Sequence, residues 1–212
     1  MPRTALTETQ VEAGRTRIVE AALKIVGSDG VDALSMRSLA DAVELTPGAL
    51  YRYFESKDDV MEAVFGDGGR VLDDRLLAIC KSRLSDVNAL RQALKAYADF
   101  AFEDEVRFRT LFLKHYGQAS RDLHATGATR PGTQSCKQRI QSAIEAGVFR
   151  KIDPDLALQV IWGAVHGVVA LVFTAEGFPF AARAKLVDAA VDNAIRGIMN
   201  PSRVKHMPSP NQ

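Results

Sequence analysis

Between Asp153 and Glu176 the chain reads DPDLALQVIWGAVHGVVALVFTAE. Asp153 is suited to cap a helix, Pro154 fits its first turn, and from Leu156 apolar residues occupy nearly every side, interrupted chiefly by Gln159 and His166. A helix of this kind either crosses a membrane or is buried on both sides. A crossing takes about 20 apolar residues, so length alone permits one. The central His166, the Gly and Ala residues suited to close helix contact, and the absence of a second such run favour burial in a protein without a membrane partner. One face then covers its own domain and the other meets a second copy of the chain. The next segment, Phe180 to Met199, carries Val187, Ala190, Val191, Ala194, Ile195 and Ile198 on one stripe and Arg183, Asp188, Asp192 and Arg196 opposite. Two such helices from each protomer can build a four-helix interface around a two-fold axis.

Helical periodicity governs the rest of the chain as well. Ile18, Ala22, Ile25 and Val26 mark one face of a first helix, stopped by Ser28-Asp29-Gly30. Ser35 caps a short helix to about Val43, Thr46 caps another with Pro47 in its first turn, and Ser56 caps a fourth from Lys57. Further helices are predicted near 57–84, 87–102, 105–117, 132–147, 153–176 and 180–199. Gly66, Gly68 and Gly69 each cost a helix about 1 kcal/mol relative to Ala, which predicts a kink or break there, with a hinge as the functional version. The polar stretch Gln118 to Thr133 reads as a long loop, and Pro201 to Gln212 as a frayed tail. The fold class is all-α. We expect an N-terminal domain over 12–72, a helical domain over 73–200 and a flexible tail over 201–212.

Composition excludes several functions. Among 212 residues, 27 Lys and Arg face 26 Asp and Glu, so the chain is no histone-like polycation. Cys80 and Cys136 are too few for a disulfide scaffold and read as buried spectator thiols. The opening MPRTALTETQ has no apolar secretory core, and a cytoplasmic location is the expectation. His115 and His124, with Asp122 nearby, lack the third ligand that a metal needs. No Gly-rich phosphate loop, nucleophile elbow or metalloprotease helix is visible, so neither an enzyme nor a cofactor is expected.

The segment Leu34 to Phe54 reads LSMRSLADAVELTPGALYRYF, two short helices joined by a tight turn. Leu39, Ala40, Val43, Leu45, Leu50 and Phe54 are spaced to bury a shared core. Thr46, Gly48, Ala49, Tyr51, Arg52 and Tyr53 then fall on or beside the outer face of the second helix. Small residues at its start let it enter a DNA major groove closely, while Tyr and Arg reach phosphates and base edges. Its first N–H groups and Lys57 could hold phosphate oxygens.

From Glu12 to Asp67 the sequence resembles the TetR family of bacterial transcriptional repressors. The residues that carry the likeness are Ile18 to Ala22, Ser35 to Ala40, Thr46 to Phe54, and Ser56-Lys57. The resemblance implies a helix-turn-helix domain for a double-stranded operator, with Ser35 and Arg37 touching DNA from the first helix of the motif. It puts Pro47, Gly48, Ala49, Tyr51, Arg52 and Tyr53 at recognition positions and makes Lys57 a phosphate contact. It also implies a homodimer. The family usually has Gly where this chain has Glu44, and a left-handed backbone there would cost Glu roughly 1 kcal/mol. Residues 1–60 hold seven Lys/Arg and ten Asp/Glu, which predicts a modest salt dependence of DNA binding.

Trp162, His166 and Gly167 resemble the C-terminal regulatory domain of a TetR subgroup named for its Trp-His-Gly signature. Trp162 and His166 share a helix face. Either Trp162 fills core volume while His166 donates to a carbonyl across the helix pair, or both line a cavity for a small effector. Phe100, Phe102, Phe108, Leu111, Phe112 and Tyr116 could complete that lining, which suits an apolar or aromatic molecule. The leading expectation is a homodimeric repressor released from a palindromic operator by such an effector. The alternative is a helix-turn-helix regulator controlled by a protein partner, with no ligand cavity.

Overall fold

Several helix starts are fixed by short side chains three residues ahead of the N–H they satisfy. In the computed structural model, which describes residues 7–113, 121–122 and 125–204, Thr7 opens α1 (Glu8–Asp29) in a reciprocal capping box with Gln10. Gly30 ends it at φ 84°, and a 3-10 turn over Val31–Ala33 leads to α2 (Met36–Ala42), capped by Ser35. Thr46 caps α3 (Pro47–Leu50), and Ser56 accepts from the Asp59 N–H in the first turn of α4 (Lys57–Cys80). Then follow α5 (Asp86–Glu103), α6 (Glu105–Phe108) running into a π turn at Arg109–Leu113, α7 (Pro131–Glu145), α8 (Pro154–Thr174), α9 (Arg183–Ile198) and α10 (Pro201–Val204). Among the described residues there is no strand, only an isolated bridge between Phe149 and Met199. The all-α class is observed.

The chain divides into two units. Residues 1–70 and 104–126 form one, and residues 71–103 and 127–212 the other.

In the first unit, α1 packs on α2, on α6 and on the π turn, and α2 on α3. Ile18, Val19, Ala22, Leu23 and Val26 form the inner face of α1, with Leu39, Ala40, Val43, Leu50 and Phe54 buried opposite; Leu45, expected among them, is only half-buried. Arg107 of α6 joins three segments. Its guanidinium meets Glu20 of α1 at 2.6 Å, Asp67 of α4 at 3.2 Å and Asp104, the α6 N-cap, at 3.0 Å. Burial alone would lower the Arg107 pKa, but the hydrogen bonds to Asp104 and Glu20 outweigh it and hold the pKa above the ordinary arginine value.

The expected break at the glycines of α4 does not occur, for the helix runs unbroken from Lys57 to Cys80. A Cβ on Gly68 would lie 2.7 Å from the Leu111 side chain, so this glycine makes room for a neighbour within the first unit. Packing there outweighs the intrinsic helix penalty. The helix also ends four residues before the predicted 84.

In the second unit α8 packs most extensively on α9, and both rest on α5, with α7 alongside. The stripe expected on α9 is buried at Val187, Val191, Ala194, Ile195 and Ile198. Opposite that stripe, as expected, Asp188 is exposed and Asp192 half-buried; the first pairs with Lys95 of α5 at 2.6 Å and the second with Arg91. A second seam joins α4 to α7. The buried Asp73 carboxylate accepts the N–H groups of Gly132 and Thr133 at the start of α7. Arg139 of α7 donates to the carbonyls of Cys80, Ser82 and Leu84 and pairs with Asp86 at 2.9 Å, closing the end of α4. Cys80 and Cys136 lie between these clasps with their sulfurs 3.3 Å apart.

The loop foreseen over Gln118–Thr133 lies partly outside the described residues, and α7 already starts at Pro131 within it. Tyr116, His115 and His124 also lie outside them. The expected tail begins with one helical turn, Pro201–Val204, and its remainder is outside the described residues.

Candidate DNA-binding surface and aromatic cluster

The motif from Ser35 to Lys57 is held by bonds that the sequence specifies locally. Ser35 accepts the Ser38 N–H at 3.0 Å, and Thr46 accepts the Ala49 N–H at 3.2 Å. Between the two helices Glu44 has φ 54°, the left-handed region that ordinary side chains avoid, and it lies exposed. The family's glycine position therefore keeps its backbone shape here with a glutamate in it.

Leu50 and Phe54 anchor α3 inward, and the other residues of the turn are left outside. Thr46, Pro47, Gly48 and Arg52 are exposed, Tyr51 is 53% exposed, and Ala49 is half-buried. A Cβ on Gly48 would meet nothing within 4 Å, so the start of α3 is bare. Arg37 is exposed on α2. Two residues do more than face outward. The Tyr53 ring lies over Gly14 of α1, where a Cβ would come within 2.5 Å of it, and its carbonyl accepts from Arg15, whose guanidinium covers the Phe54 ring at 4.1 Å. Lys57 donates one ammonium proton to the Val31 carbonyl at 2.6 Å, which fixes the side chain and leaves two donors. Arg15 and Arg17, which donates to the Val43 carbonyl at 3.2 Å, are braces that periodicity could not have revealed.

Two family models match the chain. Residues 18–64 match the bacterial regulatory proteins of the tetR family, and residues 90–196, half of the chain, match the tetracyclin repressor-like C-terminal domain. The chain belongs to the TetR family. That family consists of DNA-binding transcriptional regulators. The HTH-type transcriptional regulator UidR of Escherichia coli K12 is 30% identical over 76 residues, 36% of each chain. The HTH-type transcriptional repressor KstR of Mycobacterium tuberculosis is 38% identical over 52 residues, 24% of each. The match thus spans only about a third or less of the length of these curated relatives. Among solved structures, the fatty acid degradation regulator FadR of Bacillus halodurans aligns with a TM-score of 0.72 at 17% identity, covering 91% of this chain and 97% of that one. At that identity the two share a TetR-like fold.

The residues expected to line a cavity fall in both units. In the second, Trp162 and His166 come together with Tyr97 of α5, their ring centroids 5.7 Å apart and each 6.2 Å from the tyrosine ring. Tyr97 was not anticipated, since on α5 it reads as one more apolar position. Its hydroxyl lies 2.6 Å from His166 Nδ1, so one partner of the histidine is a phenol. Burial raises the Tyr97 pKa well above the phenol's ordinary value, a hydrogen bond from Trp162 offsetting part of the effect. Trp162 keeps 39% of its surface exposed and so is not simple core filling. Phe100 is buried in the same unit, and Phe102 stacks edge-on against Phe173 at 5.5 Å beneath Arg183.

In the first unit Phe108 and Leu111 are fully buried, and Phe108 lies 5.1 Å from the Phe112 ring. The π turn holding Leu111 and Phe112 also buries Thr110, whose hydroxyl has no hydrogen-bond partner among the described residues. An unsatisfied hydroxyl of this kind costs about 1–3 kcal/mol. Sequence gave no signal for it, because π turns have no residue signature.

Proposed function

We propose that the protein is a cytoplasmic, homodimeric transcriptional repressor that binds a palindromic operator and is released from it by a small apolar or aromatic effector. On this reading residues 12–72 hold the DNA-contacting surface and 73–200 the effector and dimer surfaces. The observation that carries it is the bare start of α3, where exposed Pro47 and Gly48 stand ahead of exposed Tyr51 and Arg52 while Leu50 and Phe54 are buried. Ser35, Arg37, Thr46, Ala49, Tyr53 and Lys57 complete the contact set. Ser35 and Thr46 act chiefly by capping, and Tyr53 by bracing α3 on α1.

A single short helix reads few base pairs, so pairing on a palindrome is needed for affinity. The surface for a second copy is the outer side of α8, the one described helix long and apolar enough to cross a membrane. It exposes Leu156, Val160 and Leu171, with open space over Gly163 and Gly167 that lets a partner helix approach closely. Of the candidate effector residues, Phe100, Trp162 and His166 belong to the second unit and are the set this reading rests on; Phe108, Leu111 and Phe112 belong to the first unit, and Tyr116 lies outside the described residues. To act as an inducer the molecule must bind the DNA-incompetent arrangement more tightly.

Fluorescence anisotropy with the DNA upstream of the protein's own gene tests the reading. Binding at low salt should weaken at least tenfold when Arg37, Tyr51 and Lys57 are all replaced by Ala. Unchanged affinity in that folded variant would overturn it. Light scattering reads the dimer in the same samples. Control by a protein partner is the second reading, favoured by the close Tyr97–His166 bond, which already engages two polar groups of the aromatic cluster. A metabolite panel that leaves the thermal midpoint unmoved decides for it.

A further inference from the structure

Cys80 and Cys136 are the chain's two cysteines, 56 positions apart in sequence, and the fold brings their sulfurs to 3.3 Å. Both are buried, and both are free. Cys80 is the last residue of α4, and Cys136 lies in the second turn of α7. The seam around them is clasped on both sides, by Asp73 on the start of α7 and by Arg139 on the end of α4. We propose that this pair is an oxidative modification site, at which a hydroperoxide converts the two thiols into an intramolecular disulfide joining α4 to α7.

The chemistry balances with hydrogen peroxide alone. The Cys80 sulfur, as thiolate, attacks one peroxide oxygen, so an S–O bond forms and the O–O bond breaks. The leaving hydroxide takes up the thiol proton as water, and Cys80 becomes a sulfenic acid. The Cys136 sulfur then attacks the Cys80 sulfur, forming S–S and breaking S–O, and the second hydroxide leaves as water with the Cys136 proton. The two sulfurs give up two electrons, and both peroxide oxygens end as water. The order follows from the surroundings. The hydrogen bond from Cys136 and the nearby Arg139 charge lower the Cys80 pKa against the opposing effect of burial, while the same bond and burial raise that of Cys136. A disulfide needs its sulfurs at about 2.05 Å, so they have little more than 1 Å to close. Peroxide is small enough to reach a site with this little exposure, whereas glutathione disulfide is not.

The test uses the full chain, reduced and freed of reductant, exposed to sub-millimolar hydrogen peroxide in buffer and in urea. Folded protein should lose its two thiols together and pass to the intramolecular disulfide without accumulating a sulfenic acid, because the fold holds the two sulfurs together for the second step. Intact mass should fall by two hydrogens, peptide mapping should link Cys80 to Cys136, and dithiothreitol should restore both thiols. In Cys136→Ser, which keeps a hydrogen-bond donor beside Cys80, the reaction should stop at a sulfenic acid on Cys80, trapped by dimedone. Two thiols persisting in folded protein while the unfolded chain oxidises would overturn the proposal, as would a disulfide formed only between chains. Since the thiol count needs no DNA, its failure would leave the regulator reading untouched.

Discussion

The helix-turn-helix and the α4–α7 seam are built on opposite plans. In the first, each bond that fixes a helix start spans three residues: Ser35 to Ser38, Thr46 to Ala49, Ser56 to Asp59. In the second, Asp73 reaches Gly132 across 59 positions and Arg139 reaches Ser82 across 57. Short-range bonds form within a turn and restrain only their own element. Long-range ones form after the chain has closed a large loop, and then hold two elements at once. Damage to the seam should therefore cost more than damage to a cap.

Gly132→Ala is the sharpest way to try that comparison. A Cβ there would lie 2.3 Å from the Asp73 backbone oxygen, which cannot swing away, so a loss of about 2–3 kcal/mol in urea unfolding is expected. A loss below about 0.5 kcal/mol would break the contrast. Asp73→Ala comes next, at about 1–2 kcal/mol, since it strips the acceptor from two N–H groups at a buried helix start. Thr46→Ala should cost about 1 kcal/mol by the same measurement, because its cap is solvent-exposed and serves α3 alone. The smallest effect should have the opposite sign. Glu44→Gly relieves the left-handed backbone and should raise stability by somewhat under 1 kcal/mol, the greater freedom of glycine in the unfolded chain taking back part of the gain.

What could be read from sequence follows the same division. Thr46, Ser35 and Asp153 declared their caps through residue type and the apolar run that follows, and the inward set Leu39, Ala40, Val43, Leu50 and Phe54 was legible from period alone. Glu44 was legible only against the family pattern. Asp73, Arg107 and Arg139 were not legible, because a buried charge looks like any surface charge until its distant partner is known. Asp188 and Asp192 were rightly set opposite the apolar stripe, but their partners Lys95 and Arg91 of α5 could not be foreseen for the same reason. The glycines of α4 misled through intrinsic propensity, which counts the missing side chain as a loss and cannot see Leu111 filling the space at Gly68. At the aromatic cluster, Trp162 and His166 announced themselves as unusual residues in an apolar helix, whereas Tyr97 had nothing to mark it.

The Arg107 junction has a consequence for anyone exchanging parts between such proteins. Glu20 and Asp67 belong to the first stretch of chain and their cation to another, Arg107 standing 40 positions beyond Asp67. A chimera cut after residue 70 would carry the two acids away from their arginine and leave the foreign host to supply one. Swapping specificity in this protein is thus a two-fragment transplant, in which residues 104–113 must travel with the head.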